Sequence, residues 1–199
     1  MSDNETIRVI SARRSRRMFA FREVSEHDLL TILRAANQAP SAHNQQSWRF
    51  MVARGESKQR LAALARGKAN AFPRPYSTLL RMAAKTISSA PFVVVVVNSG
   101  KFERPGALEL GPFAGGNNFI STMEIQSSAA AVQNMLLAAE SLGLASVWLG
   151  ILSLLKEEIF SLVGDGKGEF LAVVPIGYAL GRAVPPHKKP LEYVVNFLE

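Results

Sequence analysis

Residues 39–50 read Ala39-Pro40-Ser41-Ala42-His43-Asn44-Gln45-Gln46-Ser47-Trp48-Arg49-Phe50. The first part is small and polar, and its proline cannot continue a helix that precedes it. From Trp48 the character changes: Trp48, Phe50 and Val52 alternate with Arg49 and Met51, the period-two pattern of a half-buried strand. Upstream, Leu29, Leu30, Ile32, Leu33 and Ala36 recur at helical spacing, and Ser25 with Asp28 three residues on resembles a capping signal. The stretch is therefore a helix stop at Pro40, a polar loop and the start of a strand.

The same reading extends in both directions. Ile7 and Ile10, with Asn4 before them, predict a short amphipathic helix leading into Arg13-Arg14-Ser15-Arg16-Arg17-Met18-Phe19. Downstream, Leu61, Leu64 and Ala65 predict a helix ended by Gly67, followed by a basic connection from Arg66 to Tyr76 and a helix near Ser77 to Ser88. Phe92 to Val97 is an unbroken apolar run, which implies a strand covered on both faces. Ser99 to Asn118 is rich in Gly and Pro and reads as a substrate-side lid loop. Ile120 to Leu142 reads as a long, nearly all-round apolar helix stopped by Gly143, to be buried in the core or between subunits. Ser146 to Leu149 and Phe170 to Tyr178 read as strands, Leu155 to Val163 as a helix, and Arg182 to Pro190 as a basic tail before the apolar end Leu191 to Leu198. Helices and strands mix without regular alternation, so the expected class is an α+β sandwich in a single domain spanning 1–199.

Composition removes several classes of function. The chain has no cysteine, which excludes disulfides, thiolate metal sites and thiol nucleophiles. His27, His43 and His187 are scattered and give no zinc spacing, and Glu124, Glu140 and Glu157 are too widely separated along the helical stretches to pair for acid–base work. Gly-x-Gly-x-x-Gly and P-loop signatures are absent. The opening Met1-Ser2-Asp3-Asn4-Glu5 lacks the basic start and apolar run of a secretory signal, and no run reaches the roughly 20 apolar residues of a membrane helix; the expected location is the cytoplasm, away from membranes. The net charge of +7 points to an anionic partner. An acidic membrane surface, a nucleic acid and a phosphorylated small molecule are the candidates, but no helix-turn-helix, zinc finger or aromatic RNA platform is recognisable for the second.

The third has support in the residues. Guanidinium groups bind phosphate oxygens through paired charge-assisted hydrogen bonds, and Ser15 adds a neutral donor among the arginines. A solvated basic face is the plain alternative. Lys188 and Lys189 near the other end could converge with the arginines on one small anion.

Arg13 to Phe19 followed one helix later by Ala39 to Phe50 resembles the nitroreductase family of FMN oxidoreductases, which carries Arg-Arg-Ser-x-Arg-x-Phe and then Ala-Pro-Ser-x-x-Asn-x-Gln-Pro-Trp. Two further matches follow in order: Ala131 to Gly150, and Gly177-Tyr178 with Lys188-Lys189-Pro190-Leu191-Glu192 beyond. The resemblance implies a nitroreductase-like α/β/α sandwich with a mostly antiparallel central sheet and a long central helix. It implies a homodimer with FMN at the subunit interface, NADH or NADPH as donor, and ping-pong hydride transfer through flavin N5 to nitroaromatics, quinones or similar electron-poor acceptors.

By the same resemblance, Arg13, Arg14 and Ser15 hold the FMN phosphate and ribityl end, and Lys188 closes the phosphate site, with Lys189 an open alternative. Arg17 matches a cation at the pyrimidine edge of the flavin. Pro40, Ser41, Ala42 and Asn44 match a loop that reaches the ring from the other subunit, and Leu149 and Gly150 match backbone near N5 and O4. No side chain is assigned as catalytic. Ser47 stands where the family usually has Pro, Lys188 where Arg is frequent and Gln126 where Gly is common. Other tasks on the same fold stay open: flavin reduction for a partner, reductive dehalogenation, or oxidative modification of a peptide.

Overall fold

The computed structural model describes residues 4–98, 117–164 and 168–198. In chain order the elements are α1 (Glu5–Ala12), α2 (Glu26–Asn37), β1 (Trp48–Arg54), α3 (Gly55–Lys68), α4 (Tyr76–Ser89), β2 (Phe92–Asn98), α5 (Asn117–Ser141), β3 (Ala145–Ser146), α6 (Lys156–Val163) and β4 (Phe170–Gly177). The strands form one antiparallel sheet in the order β1-β2-β4-β3, with Trp48 opposite Asn98 and Phe92 opposite Ile176. The fold is α+β, as the mixed pattern of helices and strands predicts.

Five successive valines explain the layering. Every residue of β2 is buried, and its side chains alternate between two cores. Val93, Val95 and Val97 meet Leu61 of α3, Leu80 and Ile87 of α4 and Ile159 of α6 on one face. Val94 and Val96 meet Ile32 of α2 and Val132, Met135 and Ala139 of α5 on the other. Helices thus cover both faces of the sheet, which is why this strand shows no polar alternation.

Local signals fix the ends of helices. Asn4 Oδ1 accepts from the Thr6 and Ile7 amides at 2.9 and 3.3 Å, and Ser25 Oγ accepts from the Asp28 amide at 3.0 Å, both as the sequence implies. Gly143 and Gly164 follow α5 and α6 with φ of 70° and 71°.

Several boundaries differ from expectation. Gly67 does not end α3, which runs to Lys68; Gly67 faces open space, and packing against α4 outweighs its modest helical penalty. Arg66 to Lys68 are therefore helical, Ala69–Ala71 form a 3₁₀ turn, and the connection shrinks to residues 72–75. The strand expected at Ser146 to Leu149 pairs regularly only at Ala145–Ser146, and Leu149 adds an isolated bridge to Val173. Leu155 closes a 3₁₀ segment, Gly150–Leu155, ahead of α6, and β4 stops at Gly177 rather than Tyr178. α5 is less uniform than its composition suggests: Val132, Met135 and Ala139 are buried, whereas Ile125, Gln126 and Gln133 are exposed. Of the lid proposed at Ser99 to Asn118, residues 99–116 lie outside the described residues, and Asn117 and Asn118 begin α5.

Two chain segments flank the sheet. The arginine segment is pinned to its edge: Ser15 bridges Ser146, the Arg16 amide donates to Ser146 O at 3.0 Å, and Phe19 bridges Ala179. The C-terminal stretch beyond Leu180 lies on the surface, with Val184, Tyr193, Phe197 and Leu198 among its exposed apolar residues. Among the described residues no helix is long and apolar enough to cross a membrane.

Candidate functional site

The end of α1 delivers Arg13 and Arg14 to the protein surface just before the edge segment begins. Arg16 then ties that segment to the returning C-terminal chain, its Nη1 donating to Gly181 O at 3.1 Å. Between the two lies a cleft of about 770 Å³ lined by Arg13, Arg14, Ser15, Arg17 and Lys188, with Gln133 of α5 on its wall. Arg14 Nη1 donates to Ser11 O at 2.6 Å and Arg13 O at 2.7 Å, which seats the guanidinium against the last carbonyls of α1. The volume is in the range of small-molecule sites. Four cations around one concavity repel each other, and a phosphate group carrying about −1.5 to −2 charges would relieve that repulsion. Lys189 does not line the cleft.

Arg17 also lines a second, smaller cavity of about 160 Å³. Its walls are Leu79, Met82, Ala83 and Thr86 of α4 facing Trp148, Leu149, Gly150 and Ile151. Reciprocal backbone hydrogen bonds of Leu149 and Val173, at 3.0 and 3.4 Å, hold the Leu149 side rigid. Polar cleft and apolar slot thus meet at one guanidinium. The slot is too small to enclose a multi-ring ligand and can take only an edge of one, the rest being left for another surface to cover.

Pro40, Ser41, Ala42 and Asn44 line neither cavity of this protomer. Their loop is nevertheless fixed. His43, Asn44 and Gln46 have φ of 49°, 54° and 49°, left-handed values that cost roughly 1–3 kcal/mol each outside glycine. Ser41 Oγ accepts from the Gln46 amide at 3.0 Å, and the Ala42 amide donates to Ser127 Oγ of α5 at 3.2 Å. Trp48 is core, as expected, with its indole N–H donating to Asn37 Oδ1 at 2.9 Å. Trp148 packs against the core but also walls the slot, a position that its apolar strand neighbours concealed.

One turn before Ser127, Glu124 is buried and its Oε1 has no hydrogen-bond partner among the described residues. Burial raises its pKa above the ordinary carboxylate value. The unfolded chain then ionises first, so the carboxyl favours the fold below its unfolded pKa and this stability is lost as pH rises through the raised folded value. Glu124→Gln is expected to raise the melting midpoint at pH 8 by an amount equivalent to about 1 kcal/mol or more, and to change it little at pH 4. Equal shifts at both pH values in thermal unfolding would contradict this.

Lys58 is the other buried charge. Its Nζ donates to Ser88 O at 3.3 Å and to Ala90 O, capping the end of α4, and burial lowers its pKa. It touches neither cavity. Among the described residues no three His, Asp or Glu side chains come together as a metal site. Gln133 and the α4 wall were not identified as site residues in the sequence. Gln133 falls within the Ala131 to Gly150 match but on a helix whose composition is nearly all apolar, and the α4 residues look like ordinary core.

A family model described as the nitroreductase family matches residues 10–178. A relative in Archaeoglobus fulgidus, whose name carries both NADH dehydrogenase and NAD(P)H nitroreductase, is 30% identical over 147 residues, covering 74% of this chain and 68% of its own. The NADH dehydrogenase of Thermus thermophilus is 30% identical over 190 residues, covering 92% and 91%. A solved nitroreductase with bound FMN from Desulfitobacterium hafniense superimposes with a TM-score of 0.76 at 24% identity, covering 100% of both chains, and is similar in fold.

Proposed function

The chain belongs to the nitroreductase family, and on that premise we propose that it is a homodimeric, FMN-dependent oxidoreductase passing electrons from NADH or NADPH to nitroaromatics, quinones or similar electron-poor small molecules. The observation that carries this reading is the shared position of Arg17 between a cationic cleft and an apolar slot. A mononucleotide has the matching shape: a dianionic tail and a flat, mostly apolar ring.

Arg13, Arg14, Ser15 and Lys188 would hold the phosphate and ribityl chain, and Leu149 and Gly150 would face the ring edge. When bound, FMN supplies hydride chemistry, taking two electrons from the nicotinamide and giving them to an acceptor that follows it into the same pocket. Arg17, which lines both cavities, would hold a fixed positive charge beside the ring and so favour its reduced, negatively charged form. The strained loop Pro40 to Asn44, which meets neither cavity of its own protomer, is the part we assign to the second subunit's ring. Because the chemistry resides in the cofactor, no side chain is needed as acid or base.

The test is direct. Protein reconstituted with FMN should be yellow, should bleach on adding NADH or NADPH without oxygen, and should regain colour with a quinone or nitroaromatic. A colourless protein that ignores FMN would sink the proposal. Arg17→Gln is expected to lower the midpoint potential of the bound flavin by roughly 30 mV, tenfold in the two-electron equilibrium, with Arg17→Lys intermediate. Dye-equilibrated redox titration reads this, and an unchanged or raised potential would remove Arg17 from the ring edge.

A further inference from the structure

The net charge of +7 is not spread over the molecule. Residues 54–89 hold eight Lys and Arg against one carboxylate, Glu56, whereas the rest of the chain holds fifteen of each sign. The excess therefore resides on the α3–α4 hairpin. Three of its cations are accounted for: Arg54 pairs with Glu26 at 2.6 Å, Lys68 pairs with Glu158 at 2.8 Å, and Lys58 is buried against backbone carbonyls. Arg60, Arg66, Arg74, Arg81 and Lys85 are exposed and pair with no carboxylate among the described residues.

Their placement on α4 relates them to the slot. Leu79, Met82 and Thr86 form the row that walls it. Arg81 and Lys85, four residues apart, form the neighbouring row, and Lys85 lies one turn from Met82 on the adjoining surface. Arg74 stands two residues ahead of the helix, and Arg81 is braced by Asn70 Oδ1 at 2.5 Å from its Nη2. Like charges so spaced repel and cost stability unless an anion joins them.

We propose that Arg74, Arg81 and Lys85 receive the 2′-phosphate of NADPH, so that the protein prefers NADPH to NADH. This rests on the flavin reading above. The nicotinamide stacks on the flavin ring at the mouth of the slot, beside Leu79 and Met82, and the adenosine end crosses α4 towards Arg81 and Lys85. The 2′-phosphate distinguishes the two donors, adding about −1.5 to −2 charges and three acceptor oxygens that suit arginine forks. Arg17, which also lines the slot, is assigned to FMN, as are Arg13, Arg14 and Lys188 of the adjoining cleft.

The experiment compares reduction of the FMN-loaded protein by NADPH and by NADH in stopped flow, for the natural chain and for the triple variant Arg74→Gln, Arg81→Gln, Lys85→Gln. The natural chain should favour NADPH by about tenfold or more in kcat/KM, the effect of one charge-assisted contact. The triple variant should bring that ratio close to one. Adenosine 2′,5′-bisphosphate should compete with NADPH in the natural chain, and the variant should lose this inhibition. The ratio is the readout because a general structural fault slows both donors together. A natural ratio near one, or a ratio that the variant leaves unmoved, overturns the proposal while the flavin reading stands. If neither donor bleaches the bound FMN, the flavin reading itself fails.

Discussion

Replacing Arg13 and Lys188 together by glutamine is expected to raise the dissociation constant for FMN by about 10²- to 10⁴-fold. The two residues come from opposite ends of the chain and line one cleft. Each hydrogen bond to a charged group is worth about 1.5–3 kcal/mol, so two give roughly 3–6 kcal/mol, and every 1.4 kcal/mol is tenfold in affinity. The loss should shrink at high ionic strength, because part of the attraction is already screened there. Quenching of FMN fluorescence, titrated at low and high salt, measures both effects. Arg22→Gln is the control: its guanidinium lies 3.7 Å over the Tyr178 ring and does not line the cleft. If the double variant binds FMN as tightly as the parent, the phosphate is elsewhere. Lys189→Gln separates the two C-terminal lysines, and only Lys188 should matter.

The second large effect is structural. Gly177 ends β4 where Pro91 and Phe19 press against the backbone, and an added Cβ would lie 2.9 Å from Pro91 Cγ and 3.2 Å from Phe19 Cδ1, with Pro91 Cδ closer still. A proline ring cannot swing aside, and Phe19 is a core residue with 4% of its surface exposed. Gly177→Ala should therefore cost about 1–3 kcal/mol or more, as overpacked sites do. For a chain of this size that lowers the melting temperature by about 2–12 °C. The displacement has a second consequence. Phe19 is two residues from Arg17, so pushing it outward shifts the guanidinium that joins cleft and slot, and FMN affinity should fall with stability. A variant melting within a degree of the parent would show that the contact yields freely.

Much of this was legible in the sequence because the deciding signals are local. Asn4 and Ser25 cap helices through their own side chains, and the alternation from Trp48 marks β1 as a strand, although it misplaces two residues: Met51 packs against the core and Val52 is exposed, because helices cover both faces of this strand. The unbroken valines of β2 call for cover on both sides, and helices supply it. The site was legible differently. Arg13, Arg14, Ser15, Arg17 and Lys188 were identified by motif, and the structure brings them to one cleft, but no periodicity relates residue 13 to residue 188. What could not be read depends on tertiary context. Gly67 remains helical because α4 supports it, the α4 wall is indistinguishable from core until Trp148 is placed opposite, and the location of the excess charge emerges only when α3 and α4 are seen as one hairpin.

The buried clusters take their last side chain from Ala179, so nothing in the surface stretch that follows contributes to the interior of the protomer. Tyr193, Phe197 and Leu198 keep 77%, 88% and 91% of their surface in water. A lone subunit thus gains little hydrophobic stabilisation from Tyr193, Phe197 and Leu198, and whatever further shelter those groups find would come from association rather than from folding.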